Sequence, residues 1–229
     1  MEFKLSVIMP VYNEQDTVRE IVRRVREMDQ VYELVIVDDG SHDGTQAILQ
    51  DLSTLPGVRV ITHGHNQGKG AAVVTGFKAA RGNVFVVQDA DLEYDPQDYG
   101  KLLQPLKEGQ CDVVYGTRFA TSKIQKAFFL SYFANKFLTW VTNVLYRSKL
   151  TDMETCYKVF RRELVENMTI RARRFEFEPE FTAKLLKQGV KVVEVPISFD
   201  PRGYSGGKKI TAWDGVVALW TLIKYRFVD

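Results

Sequence analysis

In the stretch VFVVQDADLEYDP (residues 84–96) four carboxylates, Asp89, Asp91, Glu93 and Asp95, follow directly on an apolar run. Carboxylates this close repel one another, and burial raises the cost of ionising them. Either water solvates the segment or something positive sits in it. If the strand pattern runs on to residue 91, Asp89 and Asp91 are two apart and face the same side. Such a pair suits a hard divalent cation, Mg2+ or Mn2+, which takes one or two carboxylates plus substrate phosphates. Aspartates two apart in a solvated loop are the plain alternative. Asp95 stands before Pro96, which predicts a helix start capped by Asp95; Glu93 stays open between a supporting role and solvent.

Other polar groups follow other apolar runs. MPVYNE supplies Pro10, Tyr12 and Glu14, and VDDGSHDGT supplies Asp38 and Asp39. A carboxylate there can accept hydrogen bonds from a ribose or a base N–H. Helix capping by Ser41 or Asp43 explains residues 41–43 but not the paired aspartates. HNQGKGAAVVTG fits neither nucleotide-binding glycine motif: Gly70 follows Lys69 where a Ser or Thr is required, and Val73 takes the place of a glycine. A glycine-rich helix start can still bring backbone N–H groups to a phosphate or sugar, with Lys69 as a point charge. His42, His63 and His65 have no partner pattern and are expected to be solvated. Cys111 and Cys156 lie far apart without metal-like spacing, as in a reduced, cytosolic protein.

The elements that must carry these groups follow from periodicity. KLSVIMPV, ELVIVDD, VRVITH, VFVVQDA and CDVVYG read as buried strands, separated by amphipathic helices within residues 14–28, 43–55 and 68–80. Strands alternating with helices predict a parallel α/β sheet, in which ligands bind beyond the carboxyl ends of the strands. Further on, residues 176–188 read as a helix, VKVVEVPISF as a strand and residues 210–226 as an aromatic helix ending in Lys224 and Arg226.

The chain has 229 residues, 45% apolar and 26% charged, enough for one sizeable core. Its net charge of +2 hides a net acidic first half (1–120) and a net basic second half (121–229). This asymmetry suggests two ligand surfaces, and nothing in the pattern points to nucleic acid. Residues 123–149 are aromatic and basic, with no acid. Asn135, Lys136 and Asn143 interrupt the roughly 20 apolar residues that a spanning helix needs. The reading is a helix in the membrane interface, against a helix packed on the core with a basic outer face. The N-terminus has neither the basic start nor the apolar stretch of a signal peptide, so a peripheral position on the cytoplasmic face of a membrane is expected.

Taken in order, VIMPVYNE, VIVDDGSHDGT, NQGKGAAVVTG and VVQDADLEYDP resemble family 2 glycosyltransferases, and within them the dolichyl- or polyprenyl-phosphate sugar synthases. The resemblance continues through YGTRF, DMETCYKVFRRE, FEFEPEFTAKLLKQG and VPISFDPRGYSGGKKI. It implies a GT-A fold, α/β with a Rossmann-like, mostly parallel sheet, and inverting transfer from a GDP- or UDP-sugar. By position it implies that Pro10, Tyr12, Glu14 and Asp38 line a nucleoside pocket with Asp39 beside them. Asp89 and Asp91 would bind Mg2+ or Mn2+ and the diphosphate; Arg118, Arg202 and Lys208 would bind donor or acceptor phosphates, and Asp152 would lie near the reacting sugar. One departure falls in the acceptor region: Thr155-Cys156-Tyr157-Lys158 stands where relatives commonly have Gly in second place. Many relatives also continue into transmembrane helices, and a membrane-embedded partner is compatible with this chain.

The acceptor sets the chemistry. A sugar hydroxyl needs a general base, for which Asp152, Glu176 and Glu178 are the candidates. A lipid phosphate, with a second pKa of roughly 6, is already an oxyanion and needs only cations to align it. The basic second half, with Arg202, Lys208 and Lys209, together with Arg118 just ahead of it, favours a polyprenyl or dolichyl phosphate. A saccharide-hydroxyl acceptor and a non-catalytic nucleotide-sugar-binding module are the alternatives.

Overall fold

The computed structural model describes residues 3–119, 129–201 and 211–228. Seven strands, β1 (Leu5–Val11), β2 (Val31–Asp38), β3 (Val58–Thr62), β4 (Val84–Val87), β5 (Val113–Thr117), β6 (Lys158–Arg161) and β7 (Val192–Pro196), form one sheet in the order β3-β2-β1-β4-β6-β5-β7. Helices α1 (Val18–Arg26), α2 (Thr45–Leu52), α3 (Lys69–Ala79), α4 (Tyr99–Lys107), α5 (Phe129–Tyr146), α6 (Glu163–Glu166), α7 (Phe177–Lys187) and α8 (Ala212–Phe227) flank it. Strands β1, β2 and β4 are continuous apolar runs because helices cover both faces of a parallel sheet; Val7, Ile8, Val35, Ile36 and Val86 are completely buried. Helix α1 meets the sheet through Val18, Ile21, Val22 and Val25, the spacing of one helical face. Helix α3 approaches β1 closely: a Cβ on Gly76 would stand 2.3 Å from Ile8 Cγ2.

The five strands expected in the first half are present, with one correction. Strand β4 ends at Val87, so alternation does not carry Asp89 and Asp91; a turn does. Strand β6 is not legible as a strand in the sequence. It has four residues with Lys158 and Arg161 at its ends, and it is buried only by insertion between β4 and β5. It runs antiparallel to both. That reversal brings residues 151–157, which precede it, to the same edge as the carboxyl ends of the parallel strands.

Helices α5 and α8 pack side by side, tied by a Tyr146 Oη hydrogen bond to the Leu222 carbonyl (2.7 Å). On α5, Leu138, Thr139 and Thr142 are buried, whereas Phe133, Phe137, Trp140 and Val144 are exposed at helical spacing. On α8 the exposed set is Trp213, Val216, Trp220, Ile223 and Phe227. Each helix thus has one packed face and one outward apolar face. The outward stripe of α5 is aromatic, and its other face is packed; residues 123–128 of the stretch read as basic and aromatic, with Lys123 and Lys126, lie outside the described residues. Among the described residues no helix is long and apolar enough to cross a membrane.

Candidate active site

The turn after β4 is fixed from below. Gln88 is buried; its Oε1 accepts from Tyr99 Oη and Tyr157 Oη, both at 2.6 Å, and its Nε2 donates to the Asp89 carbonyl (3.0 Å). Asp91 Oδ1 accepts from the Glu93 amide (3.2 Å). Asp95 Oδ1 accepts from the Gln97 amide (3.0 Å) and caps a short 3-10 turn beginning at Pro96, as its sequence predicts. Asp89 and Asp91 are both half-buried, hard oxygen donors of the kind Mg2+ and Mn2+ prefer. Among the described residues no group of three or more His, Cys, Asp or Glu is arranged to hold a metal ion. An ion at this pair would therefore draw its remaining ligands from substrate oxygens and water.

Lys69, the first residue of α3, reaches the same place. Its Nζ lies 2.9 Å from Asp89 Oδ1, 3.0 Å from Asp89 Oδ2 and 3.1 Å from Glu178 Oε1. Burial opposes its charge, but the carboxylates of Asp89 and Glu178 outweigh that and hold the ammonium well above its ordinary range. Four amides around the helix start are already taken within the protein. Gln67 and Gly68 amides donate to Asp39 Oδ1 (2.9 Å) and Oδ2 (2.7 Å), and Gly70 and Ala71 amides donate to the carbonyls of Arg174 (3.2 Å) and Arg173 (3.0 Å). Gly68 has φ +99, and a Cβ there would lie 2.3 Å from the Arg173 carbonyl oxygen. The expected cradle of backbone N–H groups is thus corrected to a single side-chain cation.

Asp39 also holds His63: Nδ1 is 2.7 Å from Asp39 Oδ1, and Nε2 is 3.0 Å from Thr75 Oγ1. His63 is therefore not solvated, contrary to expectation; a carboxylate after one strand and a histidine after its neighbour meet because β2 and β3 pair in register. Asp38 is fully buried. Its Oδ1 accepts from the Ser41 amide (3.1 Å), and its Oδ2 has no partner among the described residues. An orphaned buried acceptor at the end of a central strand fits a ligand N–H or hydroxyl. Around it, Pro10 lies within β1, the Tyr12 ring meets His42 edge-on (5.6 Å), and Glu14 Oε2 accepts from Thr17 Oγ1 (2.8 Å) beside the start of α1.

The second cluster follows β5. Arg118 Nε and Nη2 donate to Asp152 Oδ2 and Oδ1, each at 2.7 Å, and the Arg118 amide adds a bond of 3.1 Å. The guanidinium also lies against the rings of Phe119 and Phe199. Burial alone would raise the Asp152 carboxyl, but the Arg118 charge and hydrogen bonds, with Asn135 Nδ2 at 3.1 Å, hold it below the usual range. An acid so held is a weak proton acceptor and a firm orienter of Arg118. Asn135 belongs to α5, and the neighbouring Lys136 Nζ donates to the Thr151 carbonyl (3.0 Å). The helix with the exposed aromatic stripe is thus bonded directly to the Arg118–Asp152 pair.

Between the two clusters lies a group that the sequence reading passes over. Glu154 Oε1 is buried with no partner among the described residues, and burial, reinforced by Glu178, pushes this carboxyl up to about 7. Lys158, buried under the Tyr115 ring, donates to the Thr155 carbonyl. Only the antiparallel insertion of β6 brings these residues inward, so no local signal marks them. Cys156 is buried with its thiol 3.6 Å from the Val87 carbonyl, and burial raises it well above the ordinary thiol range. Glu176 accepts from the Arg173 and Arg174 amides, and Glu178 pairs with Lys69. Arg202, Lys208 and Lys209 lie outside the described residues.

A mostly parallel sheet whose carboxyl edge gathers a buried orphan aspartate, a carboxylate pair and two cations is of the GT-A type. The chain belongs to glycosyl transferase family 2, whose family model matches residues 6–169. It is 34% identical over 231 residues to a dolichol-phosphate mannosyltransferase from Pyrococcus furiosus, covering 97% of this chain and 64% of the relative. It is 28% identical over 211 residues to an undecaprenyl-phosphate 4-deoxy-4-formamido-L-arabinose transferase from Proteus mirabilis, covering 90% of this chain and 62% of the relative. The chain thus spans under two thirds of the length of these curated relatives. In fold it is similar to glucosyl-3-phosphoglycerate synthase from Mycobacterium tuberculosis in complex with Mg2+ and uridine diphosphate. That match has a TM-score of 0.76 at 18% identity and covers 99% of this chain and 80% of that one.

Proposed function

We propose that the chain transfers a sugar, with inversion, from a GDP- or UDP-sugar to a polyprenyl or dolichyl phosphate at the cytoplasmic face of a membrane. In this reading the first half (1–120) holds the donor and the second half (121–229), with Arg118 at the junction, presents the acceptor within a single domain. Asp38 accepts from the base, with Pro10, Tyr12, Glu14 and Asp39 shaping that side. Asp89 and Asp91 hold Mg2+ or Mn2+, which when bound supplies charge stabilisation to the departing diphosphate. Lys69 lies on the diphosphate side, and Arg118, fixed by Asp152, aligns the acceptor phosphate together with Arg202 and Lys208. An oxygen of the lipid phosphate attacks the anomeric carbon, and the bond to the diphosphate breaks with its electron pair leaving on the nucleotide. No proton has to be removed from the nucleophile, so positioning and charge carry the rate.

The observation that carries this reading is the bond from α5 to the phosphate-binding pair. Asn135 and Lys136 touch Asp152 and Thr151 while Phe133, Phe137 and Trp140 of the same helix face outward. A lipid whose tail lies in the interface would then have its headgroup at Arg118. The aromatic faces of α5 and α8 support a membrane surface as partner, and a membrane-embedded protein is the alternative occupant. The free, buried Cys111 and Cys156 fit the reducing side.

One observation favours a second reading. Glu154, a buried carboxyl with an unpartnered oxygen that burial and Glu178 push upward, is a group that could serve as the general base a saccharide-hydroxyl acceptor would require. The test offers labelled nucleotide sugars to the purified protein with Mn2+ or Mg2+, and with phytanyl phosphate or a saccharide panel. Label extracted into organic solvent supports the lipid-phosphate reading. Transfer confined to saccharides supports the second, and nucleotide binding without turnover supports a non-catalytic module.

A further inference from the structure

Lys69 occupies an electrostatically awkward position. It is the first residue of α3, where the helix dipole disfavours a cation. The backbone leaves it little choice: Gly68 is held at φ +99 by Asp39, and the next two amides are tied to residues 173 and 174. What rewards the placement is a two-way contact, bidentate on Asp89 at 2.9 and 3.0 Å and single on Glu178 at 3.1 Å. The two carboxylates differ. Asp89 belongs to the metal pair and keeps 21% of its side chain accessible, whereas Glu178, on α7, keeps only 7%.

We propose that Lys69 is a built-in placeholder cation that occupies Asp89 in the empty enzyme and must withdraw, retaining Glu178, before a divalent ion binds Asp89. The inference rests on the assignment of Asp89 as a metal ligand and deepens it. A divalent ion on the oxygens that Lys69 now contacts would stand within a few ångströms of the ammonium, where like charges repel strongly. The two occupants therefore compete. An incoming nucleoside diphosphate relieves the competition, because its oxygens can accept both the ion and the displaced ammonium. The ion alone should bind weakly, and ion and diphosphate should bind with positive coupling. Lys69 acts in this scheme as a positioning residue that keeps the acidic pair from repelling itself in the resting state.

The experiment titrates the 229-residue chain with Mn2+, following the free-ion paramagnetic resonance signal, with and without UDP or GDP. If the ion-free state is about 90% Lys69-on-Asp89, the apparent affinity for Mn2+ alone is lowered about tenfold by that competition. Lys69→Met should then bind Mn2+ alone about tenfold more tightly than wild type. The coupling between Mn2+ and diphosphate should shrink by a similar factor, and Lys69→Arg should stay near wild type. Unchanged Mn2+ affinity in Lys69→Met, with Asp89→Asn abolishing Mn2+ binding, overturns the placeholder alone. Unchanged Mn2+ binding in Asp89→Asn overturns the metal assignment and the placeholder together. A second measurement needs no variant: in a crystal of wild type with Mg2+ and UDP or GDP, Lys69 Nζ should have left Asp89 for Glu178 or a diphosphate oxygen. An ion on Asp89 with the Lys69–Asp89 contact intact overturns the proposal.

Discussion

Replacing Asp152 with Asn tests whether this acid orients Arg118 or takes a proton. Asp152 is fully buried and accepts three bonds from Arg118 and one from Asn135. The amide would turn a donor toward the guanidinium and remove its two-point carboxylate contact at a site where the Arg118 side chain is only 15% exposed. Removing one partner of a buried pair costs about 3–5 kcal/mol, a large part of the roughly 5–15 kcal/mol that holds a domain folded. At about 2–4 °C per kcal/mol for a chain of this size, the midpoint should fall by about 6–20 °C. Chemical denaturation followed by circular dichroism measures the loss, and steady-state kinetics gives its consequence: the KM for the acceptor should rise more than kcat falls. The pH dependence has a definite sign. The Asp152 carboxyl is held below its usual range, so its stabilisation is present above the unfolded value of about 4 and is lost as pH falls through the folded value. Asp152→Asn should flatten that acid limb. A variant within about 0.5 kcal/mol of wild type, whose kcat falls by about 100-fold or more at unchanged KM, would refute the orienting role and indicate a base.

Asp89→Asn and Asp91→Asn should each lower kcat by about 100-fold or more and abolish Mn2+ binding in the presence of UDP or GDP, since a Lewis acid contributes several kcal/mol to a departing diphosphate; calorimetry and turnover check both. Trp140→Ser combined with Trp220→Ser should leave the melting temperature unchanged, because both rings are more than 60% exposed, yet lower partitioning onto anionic vesicles by about tenfold or more. Flotation measures this, and unchanged partitioning would argue for a protein on that face instead. Glu154→Gln should weaken a loss of stability that wild type shows as pH rises above the ordinary carboxylate range, measured by denaturation across pH. The sign follows from the raised carboxyl, which binds more protons folded than unfolded above that range. A wild-type stability that rises there would contradict the assignment.

Much of the frame is legible in the sequence because the first half obeys simple periodicities. The five apolar runs become β1–β5, and the polar residues behind β1, β2 and β4 gather at one edge, since parallel strands end on the same side. Asp95 is legible as a cap because capping is local. What escapes is long-range. Strand β6 has no alternation to reveal it and becomes a strand only between β4 and β5, so the inward placement of Glu154 and Lys158 is hidden with it. The Lys69–Glu178 contact spans more than a hundred positions and depends on how α7 meets α3. His63 reads as a solvated loop residue until the β2–β3 register sets it against Asp39. Alternation would set Asp89 and Asp91 on one side of a strand, but β4 ends at Val87, before either of them. Their proximity in sequence is local, but their geometry is set by the turn that Gln88 anchors through Tyr99 and Tyr157.

The central claim is that a lipid phosphate directly displaces the nucleotide diphosphate at the anomeric carbon. Proton and phosphorus NMR of the product formed on vesicles from a nucleotide sugar and a short polyprenyl phosphate tests it most directly. The expected product is a sugar joined through its anomeric carbon to the lipid phosphate, with configuration opposite to that of the donor. Retained configuration, or a glycosidic bond to a hydroxyl with the lipid phosphate unmodified, would contradict it.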